Sequence, residues 1–272
     1  MKSIIKKLLP PIFIDVKNYF NRKKDVVSFK GEFENWNEAL KHTTGYDSKL
    51  ILERCRESLL KVKNGEAVSE RDSVLLDKIQ YSWGLLSGLQ KAAIENDNRL
   101  CVLDFGGSLG SSYFQNRNFL KKLSKLDWCI VEQSHFVDCG NNEFSGNQLH
   151  FFYNVEECLQ QYRPNVLLLS SVLQYLDEPF KWLDKLINLK INYIIIDRTA
   201  FIDKGPDLLT IQRVSKPIYE ASYPLWLFHK ESFLSFFTEK YSLIGEFPTI
   251  DNFRIHINGR VGTYCGFLFE KK

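Results

Sequence analysis

The spacing of apolar residues along the chain changes near residue 100. Before that point apolar side chains recur at every third or fourth position, which is the period of an amphipathic helix. No strand-like alternation stands out there, and we expect residues 1–99 to form a mainly helical segment that covers or supports the rest. The predicted helices span residues 36–41, 49–62 and 72–94, and Ser69 with Asp72 resembles a capping box ahead of the third.

From residue 100 onward, short β-type apolar runs alternate with helical stretches. This alternation predicts a parallel, doubly wound α/β sheet. The last two runs are separated only by a predicted loop at 248–262, so we expect them to pair as an antiparallel hairpin. The seven predicted strands span residues 100–105, 128–132, 149–153, 166–170, 193–197, 241–247 and 263–269.

Composition and charge narrow the class of protein. The chain has 272 residues, 44% of them hydrophobic, and a net charge of only +3, which is too small to argue for a nucleic-acid partner. Residues 1–30 nevertheless hold eight lysines and arginines against two aspartates. We interpret this stretch as a basic first helix packed on the domain. The alternative is peripheral contact with an anionic membrane surface.

The cysteines and histidines do not have the spacing of metal ligands. The six cysteines form no C-x-x-C pair and have no nearby histidine, and the five histidines show no ligand spacing with carboxylates. The sequence therefore predicts a reduced, cytoplasmic protein without a metal site.

The run of residues 100–111, LCVLDFGGSLGS, carries the strongest functional signal. A predicted strand ends in Asp104 and leads into a turn that contains Gly106, Gly107, Ser108 and Gly110. The next apolar run ends in Glu132, 22 residues after Gly110. A glycine-rich turn lets a ligand approach the backbone, and a carboxylate at the next strand end can accept hydrogen bonds from both ribose hydroxyls. The pattern is typical of a site that holds an adenosine.

The glycine spacing distinguishes between the adenosine cofactors. The nicotinamide fingerprint G-x-G-x-x-G is missing, which makes a nicotinamide-dependent sugar-modifying enzyme a remote alternative. The turn fits D-x-G-x-G-x-G better, with Ser108 in place of the middle glycine, and so resembles motif I of the S-adenosylmethionine (SAM) methyltransferases. A terminal antiparallel hairpin is also usual in the class I methyltransferase sheet.

Polar residues at other predicted strand ends extend this candidate cofactor site. Ser170 and Ser171 end the fourth strand and Tyr175 follows, where the cleft of an open α/β sheet lies. They resemble the segment under the methionine end of SAM. Asn154 follows the third strand, in the region that usually contacts adenine, and its amide can hydrogen-bond the adenine edge.

Further motifs resemble a family of bacterial methyltransferases encoded among surface-polysaccharide, lipopolysaccharide-type gene clusters. The resemblance implies a Rossmann-like class I methyltransferase fold with a seven-stranded, mostly parallel sheet. It also implies O-methylation of a sugar hydroxyl, with a glycan or a nucleotide- or lipid-linked sugar as acceptor. Because Ser108 departs from motif I, a non-catalytic scaffold in polysaccharide assembly is the alternative. The matching runs include Leu9-Pro10-Pro11, Phe29-Lys30-Gly31, Gly45-Tyr46-Asp47, Gly65-Glu66, Glu70-Arg71-Asp72-Ser73, Asp197-Arg198-Thr199 and Tyr223-Pro224-Leu225-Trp226.

The candidate catalytic residues follow the fifth predicted strand. Asp197 and Arg198 end that strand and can orient an acceptor hydroxyl or remove its proton, or form only a structural ion pair. Tyr223 and His229 lie in an acceptor-side insertion near 201–234, where they suit sugar binding or general-base chemistry. Packing of an ordinary lid, and for His229 a place beside a helix at 231–238, are the alternatives. We thus expect a segment 1–99 and a SAM-binding domain 100–272.

Overall fold

The computed structural model describes residues 27–44, 48–215, 221–250 and 254–272. The basic N-terminal residues up to 26, and with them the predicted first helix and membrane contact, lie outside the described residues. The described strands are β1 (Val27–Phe33), β2 (Ser69–Arg71), β3 (Val74–Leu76), β4 (Arg99–Phe105), β5 (Lys125–Val131), β6 (Leu149–Phe152), β7 (Val166–Ser170), β8 (Tyr193–Ile202), β9 (Leu208–Val214), β10 (Ala221–His229), β11 (Tyr241–Pro248), β12 (Ile255–Ile257) and β13 (Arg260–Lys271). The described helices are α1 (Trp36–Lys41), α2 (Ser48–Lys63), α3 (Trp83–Ile94), α4 (Ser111–Leu120), α5 (Ser134–Glu143), α6 (Val155–Gln161), α7 (Pro179–Ile187) and α8 (Lys230–Ser235), with one 3-10 turn at Leu173–Tyr175.

Seven strands form the central sheet in the order β6-β5-β4-β7-β8-β13-β11. The first five are parallel, and β13 runs antiparallel to both β8 and β11. The strand order reverses at β4, whose neighbours are β5 and β7, so a crevice opens beyond the carboxyl ends of these strands. The predicted strands, the antiparallel pairing of the last two and the doubly wound α/β arrangement are thereby confirmed.

The sheet contains more strands than the seven that the sequence predicts. Strand β8 continues past the predicted end at residue 197, and its last two residues pair with β10. The antiparallel series β10-β9-β1, together with the short strand β12 that pairs with β13, then extends the sheet to eleven strands. Strand β1 comes from the part that we predicted to be helical. Its sequence VSFKGEF alternates between half-buried and exposed side chains, a two-residue period that the sequence analysis overlooked.

The prediction of a helix over 72–94 was also wrong in its first half. Strands β2 and β3 form a hairpin there, and α3 begins only at Trp83. Asp72 and Ser73 are the two loop residues, with φ values of +49° and +66°. Positive φ at both positions is the geometry of the tight turns that best join two antiparallel strands. Asp72 therefore belongs to a hairpin turn, and the Ser69 capping box does not form.

The N-terminal elements share the core of the central sheet. Leu59 and Val62 of α2 belong to the same buried apolar cluster as Val102 of β4 and Trp128 of β5. A second cluster packs α6, α7 and α8 on the opposite face. This burial fixes α2, and the hairpin that follows it, against the crevice. None of the described helices is long and apolar enough to cross a membrane.

Candidate active site

A cavity of about 900 Å³ lies beyond the carboxyl ends of β4, β5, β7 and β8. The glycine-rich turn between β4 and α4 forms its floor on one side. Residues from α1, α2 and the β2–β3 hairpin cover it, and β9 and β10 close its far end. The cavity is therefore built jointly by the central sheet and by the elements that precede residue 99.

The glycine-rich turn brings bare backbone to the cavity. Gly106 has φ of +74°, and a Cβ atom there would lie 2.4 Å from a methyl group of Val172. A Cβ atom on Gly107 would lie 2.6 Å from Cγ of Asp104. Gly110, with φ of +101°, is the N-cap of α4. It packs behind the turn, where a Cβ atom would approach Leu149, and does not line the cavity.

Ser108 occupies the position at which the motif has a glycine. It lines the cavity and has φ of +53°, the left-handed region that L-residues rarely adopt. The turn therefore retains the backbone conformation that glycine adopts most easily, at a cost on the order of 1–2 kcal/mol for a residue with a Cβ atom.

Asp104 supports the turn from below. Its side chain is buried, and Trp128 Nε1 donates a hydrogen bond to its Oδ2 at 2.9 Å. Burial, opposed by the Trp128 hydrogen bond and reinforced by the nearby Glu132 charge, raises the pKa of Asp104 from 3.8 to about 7. The carboxyl group is thus held close under Gly107, where it shapes the backbone.

Glu132 links the end of β5 to the glycine-rich turn. Its Oε2 accepts the backbone N–H of Gln133 at 2.6 Å, and the backbone N–H of Ser108 also bonds to its carboxylate. Burial raises the pKa of Glu132, and these two N–H groups counteract part of the rise. The carboxylate is fixed at the cavity wall, where its remaining acceptor positions suit a pair of ribose hydroxyls.

The other predicted cofactor residues also line the cavity. Asn154 is the N-cap of α6, and its Oδ1 accepts the backbone N–H of Glu157 at 2.9 Å, which leaves its amide nitrogen as the group to donate to a ligand. Ser170 and Ser171 lie at the end of β7, and Ser171 has φ of +57°. The Tyr175 hydroxyl donates to Gln212 Oε1 at 3.1 Å, and burial raises its pKa to about 12.

The β2–β3 hairpin supplies cavity residues that the sequence analysis did not assign. Glu70, Asp72 and Ser73 face the cavity, together with Cys55 of α2. The Cys55 thiol lies 3.5 Å from the Ser73 hydroxyl, and burial raises its pKa to about 11, so the thiol stays protonated at neutral pH. The run Glu70-Arg71-Asp72-Ser73 was among the motifs that resemble the methyltransferase family. Because a helix was wrongly predicted over 72–94, these residues were not expected at the cavity.

The two residues predicted to end the fifth strand point to different places. Arg198 lines the cavity, and its Nη2 donates to both carboxylate oxygens of Asp72 at 2.9 and 3.0 Å. Asp197 is buried on the other side of the strand, where its Oδ1 accepts a hydrogen bond from the Ser82 hydroxyl at 3.3 Å. The structure therefore does not place Asp197 against a ligand, and the partner of Arg198 is Asp72.

The structure also separates Tyr223 from His229. Tyr223 is buried in the cavity wall, where its ring packs edge-on against Tyr175 at 5.4 Å between centroids. His229 lies outside the cavity as the N-cap of α8. Its Nδ1 is 3.0 Å from the Ser232 hydroxyl, and its backbone N–H donates to Asp207. His229 thus occupies the helix-end position that the sequence analysis gave as its alternative.

The described residues contain no cluster of three or more histidine, cysteine or carboxylate side chains that could hold a metal ion.

The structure is similar to several solved structures at low sequence identity. The N-terminal domain of EvdMO1 with S-adenosylhomocysteine (SAH) bound covers 84% of this chain and 98% of its own, with a TM-score of 0.43 and 12% identity. SAM-bound CalS10, an amino pentose methyltransferase from Micromonospora echinaspora, covers 71% and 92%, with a TM-score of 0.43 and 10% identity. Magnesium protoporphyrin IX methyltransferase (ChlM) from Synechocystis PCC 6803 with bound SAM covers 84% and 99%, with a TM-score of 0.42 and 10% identity. No protein-family model and no curated protein matches the chain.

Proposed function

We propose that this chain is a SAM-dependent methyltransferase that methylates a sugar hydroxyl in a surface glycan or in a precursor of one. The observation that carries the proposal is that the Glu132 carboxylate and the positive-φ turn at Ser108 line one cavity, which sets an acceptor suited to ribose hydroxyls beside bare backbone. Because the turn keeps a positive φ at Ser108, the departure from motif I no longer argues for a non-catalytic scaffold.

The charge of the cavity fits a cationic cofactor. Five carboxylate residues line it, against two arginines and one lysine. Burial raises the pKa of three of the five, namely Glu70, Asp104 and Glu132. A bound cation favours the ionised form of each, so the cavity and a sulfonium stabilise one another. When bound, SAM supplies a methyl group already activated on its sulfur, and the protein has only to align an acceptor with it.

The far end of the cavity fits a sugar. Tyr175, Tyr223 and Tyr264 line it with aromatic rings that carry a polar hydroxyl, and Gln212 adds an amide. Rings with polar tips stack against the apolar face of a sugar while they hydrogen-bond its hydroxyl groups. The Tyr175–Gln212 hydrogen bond fixes two of these groups in position. This wall supports a glycan or a nucleotide- or lipid-linked sugar as acceptor.

Asp72 is the residue best placed to take the proton of the acceptor hydroxyl. An alkyl hydroxyl must lose its proton during attack on the methyl group, so a general base is expected near the acceptor. Among the described residues, neither Asp197 nor His229 lines the cavity. Asp72 does, and Arg198 holds its carboxylate in one orientation. Asp72 therefore takes the role that the sequence analysis considered for Asp197.

Calorimetric titration with SAH tests the cofactor assignment. We expect wild-type protein to bind SAH, and Glu132→Gln to bind it at least tenfold more weakly because one ribose acceptor becomes a donor. Glu239→Gln alters an exposed carboxylate outside the cavity and serves as the control. Failure of the folded wild-type protein to bind either SAM or SAH would disprove the cofactor assignment.

The location of the protein remains part of the proposal. A reduced, cytoplasmic protein whose basic N-terminus touches the inner face of the membrane would meet a lipid-linked sugar directly. Binding of the full chain to vesicles with and without anionic lipid measures that contact.

A further inference from the structure

The two carboxylate oxygens of Glu70 have different surroundings. Oε2 accepts the backbone N–H of Ser73 at 3.2 Å, which holds the side chain against the hairpin turn. Oε1 is buried and, among the described residues, has no hydrogen-bond partner. Glu70 lines the cavity, so this oxygen is positioned to receive a donor from a ligand. An unpartnered buried carboxylate oxygen is costly, and a cationic donor would remove that cost.

The N-terminus of α4 meets the same part of the cavity. The N-cap of this ten-residue helix is Gly110, which has no side chain to cap the first N–H groups. Ser111 and Ser112 both line the cavity, and the Ser111 hydroxyl interacts with the Glu70 carboxyl group. The start of a helix carries partial positive charge and free N–H groups, which favour an anion. A site for a cation and a site for an anion are therefore adjacent.

We propose that Glu70 binds the α-ammonium group, and the start of α4 the α-carboxylate, of the amino-acid end of SAM. This assignment rests on the proposed function. Glu70 suits this part of the ligand because its neighbour is Ser111 at the helix start, whereas Tyr175 of the acceptor end is held by Gln212. The hairpin thus makes the cavity specific for a cofactor with a zwitterionic end, in addition to the adenosine that Glu132 binds.

A ligand that lacks only the ammonium group tests this assignment. 5′-S-(3-carboxypropyl)-5′-thioadenosine has the adenosine, sulfur and carboxylate of SAH without its amino group. Calorimetric titration of wild-type protein is expected to show SAH binding about 10- to 100-fold more tightly than this analogue. In Glu70→Gln the two ligands should bind with equal affinity, because the variant keeps an acceptor for Ser73 but has lost the negative charge.

Two controls separate this outcome from general damage to the site. Glu132→Gln should weaken both ligands by the same factor and so keep the preference for SAH. Glu66→Gln, an exposed change shortly before β2, should leave both affinities unchanged. Thermal unfolding of each variant verifies that it is folded.

Several results would overturn the assignment. A preference for SAH that survives in Glu70→Gln would remove Glu70 from ammonium recognition, as would equal weakening of both ligands. Unchanged binding with slower methyl transfer would make Glu70 a proton acceptor instead. Binding of neither ligand to wild-type protein would refute the proposed function itself. Binding of both ligands to wild-type protein with equal affinity would overturn only the assignment of Glu70.

Discussion

Arg198 on β8 donates from one guanidinium nitrogen to both carboxylate oxygens of Asp72, 126 residues earlier in the chain. The ion pair joins the β2–β3 hairpin to the carboxyl end of the central sheet. Both residues have positive φ, which costs conformational energy, and both side chains are only partly exposed. The pair therefore fixes the hairpin over the cavity and orients the only acidic side chain of its turn.

Replacing Asp72 should slow methyl transfer without weakening the binding of the cofactor. In Asp72→Asn the general base is lost, and general-base catalysis contributes about 10²- to 10⁴-fold. We expect kcat to fall by a factor in that range, while SAH affinity measured by calorimetry changes less than about threefold. Asp77→Asn, an exposed change five residues further on, is the matched control. A kcat within twofold of wild type would exclude Asp72 as the base.

Adding a methyl group at Gly107 should displace the glycine-rich turn. The new Cβ atom of Gly107→Ala would lie 2.6 Å from Cγ of the buried Asp104, so either the turn or Asp104 must shift. Overpacking of this kind costs about 1–3 kcal/mol. We expect lower stability in urea and at least a tenfold loss of SAH affinity. Gly146→Ala has nothing within 4 Å of the new atom and should leave both quantities unchanged.

The positive φ of Ser108 predicts which substitutions the turn tolerates. Ser108→Gly relieves the strain of a left-handed residue but adds freedom to the unfolded chain, so its net effect should lie within about 1 kcal/mol of wild type. Ser108→Val places a β-branched side chain in the same conformation and should be destabilising by about 2 kcal/mol or more. Urea unfolding and SAH titration check both. A glycine variant that no longer binds SAH would contradict the backbone role of Ser108.

The raised pKa of Asp104 predicts how stability depends on pH. Its folded-state pKa of about 7 exceeds the ordinary value of 3.8, so between these values the folded protein retains a proton that the unfolded chain releases. Stability from this group is therefore present in acid and is lost as pH rises through that window, by about 1.4 kcal/mol per pH unit. In Asp104→Asn the slope should diminish, while Glu70 and Glu132, whose pKa values burial also raises, preserve part of it. Urea titrations between pH 4 and pH 7 measure the slope, and identical slopes would contradict the shift.

The central sheet was predictable from the sequence because its strands are buried on both faces. Such strands consist of short, continuous apolar runs, which are easy to recognise. Leu167, Leu168 and Leu169 of β7 are examples, all fully buried. The residues that we predicted for the cofactor are also local features, glycines and strand-end polar side chains, and all of them except Gly110 line one cavity. Ser108 even kept the conformation of the glycine that it replaces.

The covering elements were harder to predict because their structure depends on distant contacts. Strand β1 pairs with β9, about 180 residues further along the chain, and a half-exposed strand has a weak apolar signal. The β2–β3 hairpin contains Val74, Leu75 and Leu76, a run that fits a strand or a helix equally well. Because the hairpin was not predicted, the sequence analysis paired Arg198 with the adjacent Asp197. In the structure Asp197 accepts a hydrogen bond from Ser82 instead.

Transfer of a labelled methyl group tests the central claim most directly. The protein is incubated with SAM that carries a deuterated methyl group and with a panel of glycan fragments, nucleotide-linked sugars and lipid-linked sugars, and the products are analysed by mass spectrometry. We predict that the label moves to a hydroxyl oxygen of at least one sugar, and that Asp72→Asn binds SAH but transfers the label at least about 100-fold more slowly. A label that stays on SAM with every sugar, or moves only to another class of acceptor, would contradict the account.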